Sequence, residues 1–175
     1  MKLLYSIHKY DVFMFTWLIN TRIHGALTKS SRYLSKTGDG ALYILIAAIF
    51  VWHEGLDSSF LHIILLAFLI ERPIYFILKN GLKRNRPEAA LKNFRSIIKP
   101  SDKFSFPSGH TSAAFMMATL LSFYFPTLII PFYIWATLVG CSRVVLGVHF
   151  PTDTIVGSIL GMSTAVFCLG YIGQI

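Results

Sequence analysis

Five stretches of the sequence are apolar over lengths that an aqueous fold seldom tolerates: residues 40–52, 60–78, 111–125, 127–139 and beyond, and 154–172. The hydrocarbon core of a bilayer takes about 17–25 helical residues per span, and only structures that satisfy their own backbone hydrogen bonds can cross it. The chain therefore reads as all-α, an integral membrane helical bundle whose first span is short and whose second is interrupted by Glu71-Arg72-Pro73. Composition agrees, since 54% hydrophobic against 14% charged residues excludes disorder and argues against an ordinary soluble globule. One domain over residues 1–175 is expected. Cys141 and Cys168 lie in apolar runs, so neither a disulfide framework nor a metal cluster is indicated.

Residues 1–39 are harder to place. They are apolar over 12–19 and then carry Arg22, His24, Lys29, Arg32 and Lys36, which fits either a marginal first span or an amphipathic helix on the membrane surface. The bundle thus has five or six transmembrane helices, with residues 40–175 forming five of them. A weakly basic start and the lack of a small-residue cleavage pattern argue against a removable signal peptide.

Counting sides with five spans places residues 1–39, 79–107 and 144–151 on one membrane face. The chain has 16 Lys and Arg against 8 Asp and Glu, a net charge of +8, and apart from the intramembrane Arg72 every basic residue falls on that face. The opposite face carries Glu54 and Asp57.

Three polar groups abut span ends on the basic face. Lys79 is followed after six residues by Arg86-Pro87, a point charge and a planar fork suited to phosphate oxygens, or to lipid headgroups held by a polybasic loop. Pro107-Ser108-Gly109-His110 precedes an apolar helix. Ser108 suits an N-cap, Gly109 permits close approach of an anion to free backbone N–H groups, and His110 stands beside that anion with a proton to give. Ser142-Arg143, then His149, then Asp153 completes the set; Asp153 in a first helical turn is placed to orient a ring nitrogen of His149 and leave the other as a nucleophile or base. The remaining histidines, His8, His24, His53 and His62, have no partner at a telling spacing. Arg72 is expected to pair with Glu71, with support of the site from beneath as the other possibility.

Lys-x6-Arg-Pro, Pro-Ser-Gly-His and Ser-Arg-x5-His-x3-Asp, in that order over residues 79–153, resemble the type 2 phosphatidic acid phosphatase superfamily. That family includes membrane lipid phosphatases, soluble acid phosphatases, glucose-6-phosphatase and vanadium haloperoxidases, and all three motifs match without a substitution. The resemblance implies a metal-independent membrane phosphatase with no cofactor, acting on a lipid phosphate or pyrophosphate of the undecaprenyl diphosphate, phosphatidylglycerophosphate or phosphatidic acid type. It implies His149 as the nucleophile that forms a phosphohistidine, Asp153 as its orienting partner and His110 as the general acid. It also implies Lys79, Arg86, Ser108, Gly109 and Arg143 as the groups that hold the phosphate. Fixed cations serve phosphoryl transfer by positioning and charge compensation, which agrees with those roles.

The partners expected are the bilayer and a phospholipid or polyprenyl phosphate substrate, with no nucleic acid and no obligate protein partner. A non-catalytic protein binding anionic headgroups through the same basic face is the rival reading, and a vanadate-dependent peroxidase a third. Resemblance points to a bacterial inner membrane with the site facing the periplasm or exterior, whereas the Lys/Arg excess points the site toward the cytoplasm.

Overall fold

The computed structural model describes residues 2–172, with side chains from His8 onward. It is all-α among the described residues: α1 (Lys2–Ile19), α2 (His24–Thr37), α3 (Gly40–Glu54), α4 (Ser59–Leu82), the single turn α5 (Pro87–Ala90), α6 (Gly109–Tyr124), α7 (Ile129–Val145) and α8 (Pro151–Tyr171). The apolar stretches at 60–78 and 154–172 coincide with α4 and α8 within a few residues. Boundary chemistry explains where helices begin and stop. Ser58 caps α4, Lys83 ends it in the left-handed region, and Pro87 and Pro151 each start a helix at the position where their missing N–H costs nothing.

By length and apolarity α4, the segment Pro126–Val145 and α8 each suffice to cross a bilayer, and α2 with α3, bent by 44° at Gly38–Asp39, make a fourth crossing if taken as one span. The five or six spans read from the sequence are therefore not all full-length single helices. α3 has 15 residues and α6 has 16. α6 starts among buried residues, Ser108 and Thr111. Residues 1–39 form two helices, and α1 turns Tyr10, Phe13, Met14 and Trp17 outward while burying Asp11 and Phe15.

α6 is the central helix, packed mainly against α8 and α7, with α2 against α7 and α4 against α8. The α6–α8 crossing is a backbone contact. A Cβ on Gly161 would lie 2.0 Å from the Ser112 carbonyl oxygen, and one on Gly157 would lie 2.6 Å from that of Ser108. Small residues four apart let helices approach this closely within a membrane. The consequence is functional, because the start of α6 and the start of α8, which carry two of the motifs, are fixed against each other: the Ser108 N–H donates to the Asp153 carbonyl at 3.0 Å.

Candidate active site

All three motifs converge at one end of the bundle. Lys79 comes from the last turns of α4, Arg86 from the following loop, Gly109 and His110 from the first turn of α6, Arg143 from the end of α7, and His149 from the short loop before α8. These six line a single cavity of about 420 Å³. Its other end runs between α3 and α4, where Ile44, Ala47, Leu61, Leu65 and Phe68 line it. A Cβ on Gly109 would sit 3.0 Å from the Tyr75 ring, tighter than ordinary contact, so the backbone and the ring are closely packed here.

His149 is buried with its Nε2 toward the cations, 3.5 Å from Arg86 Nη1. Its Nδ1 is 3.6 Å from Asp153 Oδ2 and has no hydrogen-bond partner, so the expected orienting bond is not closed in this state. The reason lies in the other demands on Asp153. Its Oδ2 accepts the Phe150 N–H at 2.8 Å and its Oδ1 accepts from Arg84 Nη1 at 2.8 Å. Burial pushes the His149 imidazole down to about 4, against the opposing influence of Asp153, so the ring is neutral at ordinary pH.

The phosphate-type cations already hold an anion of the chain itself. Asp102 accepts from Lys79 Nζ at 2.9 Å, from Arg86 Nη2 at 2.6 Å and from the Tyr75 hydroxyl at 2.9 Å, while its carbonyl accepts from Arg86 Nε at 3.0 Å. Burial alone would raise this carboxyl; the two cations overcome it and hold it at about 2. Arg86 is further fixed by donating to the Val148 carbonyl at 2.5 Å, which ties the loop after α4 to the backbone beside His149.

Ser108 does not join the group. Its hydroxyl is fully buried and pairs with Thr111 Oγ1 at 2.8 Å, giving no side-chain cap and no oxygen toward the cavity. Arg143 bonds Ser35 on α2 through Nη1 and leaves Nε buried without a partner. It lines the main cavity and also an adjoining basic one with Lys29, Arg32 and Lys36.

Four residues at the site carry no motif signal. His110 Nε2 lies 2.7 Å from Asp39 Oδ1, at the bend between α2 and α3. Behind Asp153, Arg84 spreads its fork, with Nη1 to Asp153 and to Thr152 Oγ1 (2.7 Å) and Nη2 to Asp11 Oδ2 (2.5 Å). Asp11 is buried and also accepts the Thr152 N–H at 3.0 Å, so α1 is pinned to the start of α8 by charge. Asp102 is the fourth. Each is a single carboxylate or arginine whose meaning depends on approach across 69 to 73 positions or on a loop fold. The scarcity of acids in a basic chain was the one available hint.

The model of the PAP2 superfamily matches residues 59–174, which spans all three motifs. The chain belongs to the PAP2 superfamily. It is 33% identical over 133 residues to phosphatidylglycerophosphatase B of Bacillus subtilis (strain 168), covering 69% of this chain and 61% of that protein. The crystal structure of LpxE from Aquifex aeolicus is similar over 90% of this chain and 93% of that one, with 28% identity and a TM-score of 0.79. A transmembrane PAP2 type phosphatidylglycerolphosphate phosphatase from Bacillus subtilis matches with 25% identity and a TM-score of 0.78, covering 97% of this chain and 88% of that one. The chain spans between about a third and six-tenths of the length of the curated relatives it matches. With these relatives and its membrane-spanning helices, this PAP2 chain is an integral membrane protein.

Proposed function

We propose that the chain hydrolyses a lipid phosphate or lipid diphosphate at the membrane edge through a phosphohistidine on His149. The observation that carries this is the cavity, which joins a head lined by Lys79, Arg86, Arg143 and two histidines to an apolar groove between α3 and α4. A headgroup seated at the first end leaves its chains along the second.

In the first step His149 Nε2 attacks phosphorus, the bond to the lipid oxygen breaks, and His110 supplies the proton when that oxygen leaves as an alcohol. In the second, water attacks the phosphohistidine, His110 takes the water's proton, and the phosphorus–nitrogen bond breaks to release phosphate. Lys79, Arg86, Arg143 and the Gly109 amide compensate charge on the equatorial oxygens. Displacement of the Asp102 carboxylate by the entering phosphate frees the first two. Closing the 3.6 Å gap between His149 Nδ1 and Asp153 as charge builds on the ring is the role assigned to the dyad. The residues supply the positive charge themselves, so phosphate release is expected to persist in EDTA.

Phosphate release from pure lipid phosphates in detergent, wild type against His149→Ala and His110→Ala, tests this. Loss in both variants with folding retained supports the enzyme; equal weakening by any Lys or Arg neutralisation, with His149→Ala inert, supports a headgroup-binding protein instead. We further propose a bacterial inner membrane location with the site facing outward. Labelling a cysteine placed in the 88–103 loop from outside intact cells checks it, and protection there refutes it.

A further inference from the structure

Arg72 belongs to the same cavity as the motif cations but to none of the motifs. It leaves α4 seven residues before Lys79, two turns deeper, where the lining changes from charged groups to Leu65 and Phe68. Its guanidinium carbon stands 4.7 Å from the centroid of the Tyr75 ring, and Lys79 Nζ stands 4.3 Å from the same centroid. One aromatic ring thus carries both cations.

Arg72 pairs with Glu71 through Nε, and Glu71 is fully buried and also accepts from Ser112 Oγ at 2.6 Å. That pair accounts for charge neutrality and for one of five guanidinium N–H donors. Nη2 is shielded and has no partner, while 38% of the side chain remains exposed and the residue lines the cavity. An ionisable group at this depth is costly, and neutralisation of Glu71 would have been achieved as well by a side chain turned away from the lipid path. Among the described residues the donors other than Nε make no hydrogen bond, and the residue stands in the wall of the cavity that joins the motif cations to the apolar groove.

We infer that Arg72 is an anion subsite on the leaving-group side of the scissile bond, and that the substrate class it serves is a lipid diphosphate. This rests on the phosphatase reading above. With the distal phosphoryl group on Lys79, Arg86 and Arg143, the lipid-proximal phosphate lies toward Arg72. His149 Nε2 bonds to the distal phosphorus, the bridging oxygen takes the electron pair, and the lipid monophosphate departs with its added negative charge against the guanidinium. A monoester has no second anionic group to place there, and its leaving oxygen depends on the His110 proton instead.

The test compares kcat/KM in detergent for a polyprenyl diphosphate and the monophosphate of the same chain, using wild type, Arg72→Gln and Arg72→Lys. Wild type favours the diphosphate. Arg72→Gln lowers the diphosphate-to-monophosphate ratio by about tenfold or more, the size of one charge-assisted hydrogen bond, and Arg72→Lys keeps part of it. Equal losses on both lipids, or an unchanged ratio, overturn the inference and leave Arg72 as the partner of Glu71. Should Arg72→Gln fail to fold, Glu71→Gln/Arg72→Gln removes both charges together and the same ratio decides. A wild type active on the monophosphate alone defeats the diphosphate assignment only; one active on neither lipid, and indistinguishable from His149→Ala, defeats the phosphatase reading with it.

Discussion

Replacing Arg84 with glutamine leaves two buried carboxylates facing each other across Thr152. Asp11 is 1% exposed and Asp153 0%, and both oxygens that face Arg84 take charged hydrogen bonds from it, at 2.5 and 2.8 Å. Removing one partner of a buried ion pair costs about 3–5 kcal/mol. The lower end applies, since the Arg84 side chain is itself 18% exposed and each carboxylate keeps backbone donors, the Thr152 N–H for Asp11 and the Phe150 N–H for Asp153. A loss of about 3 kcal/mol lowers the apparent Tm of a chain this size by roughly 6–12 °C, read in detergent at a fixed scan rate. Adding Asp11→Asn removes the second charge, so Asp11→Asn/Arg84→Gln is expected to be more stable than the sum of the single effects by about 1–3 kcal/mol. Neither residue lines the cavity, so the kinetic effect falls on kcat, through Asp153 and His149, with KM for the lipid nearly unchanged. An apparent Tm within about 2 °C of wild type, or a double variant that merely adds, refutes the network.

Four further outcomes are expected. Because burial holds His149 at about 4, below its ordinary 6.5, the acid limb of kcat/KM lies near pH 4, and a limb near 6.5 refutes the neutral buried nucleophile. The same depression has a stability sign: the contribution is complete above about pH 6.5 and is lost as pH falls through 4, since the unfolded chain binds the proton that the buried ring does not. Asp102→Asn removes the resident carboxylate from Lys79 and Arg86, so orthovanadate is expected to inhibit at about tenfold lower concentration; weaker inhibition refutes the idea that Asp102 and phosphate compete for one seat. Gly161→Ala drives a methyl into the Ser112 carbonyl and is expected to cost about 1–3 kcal/mol or more, whereas Gly25→Ala, with nothing within 4 Å, is neutral or stabilising in a thermal scan.

The spans and the three motifs were legible because each is a local pattern. Apolar run length is set by bilayer thickness, and Lys79, Arg86, His110, Arg143 and His149 sit at helix ends that such runs define. Ser108 does stand at the N-cap position of α6, but its hydroxyl pairs with Thr111 one turn on, inside the bundle, which residue type alone does not reveal. The closeness of α6 and α8 had a signal in Gly157-x3-Gly161 that spacing alone makes readable. Asp11 and Arg84 had none of this kind, being 73 positions apart and meeting only when α1 docks on α8.

Scarcity of carboxylates gives these missed residues a common cause. Eight acids face sixteen Lys and Arg, and in an apolar bundle a buried acid is tolerated only where a cation meets it. Asp11 and Asp153 share Arg84, Asp102 takes Lys79 and Arg86, and Glu71 takes Arg72, while the exposed Asp39 holds His110 by a hydrogen bond. Five of the eight acids are therefore spent within the site or directly behind it. Each of these acids fixes a cation or a histidine that an empty phosphate seat would otherwise leave repelling its neighbours. The charge excess of the chain and the preorganisation of its anion seat are then one design: cations gathered for a phosphate, with just enough internal carboxylate to hold them in place until it arrives.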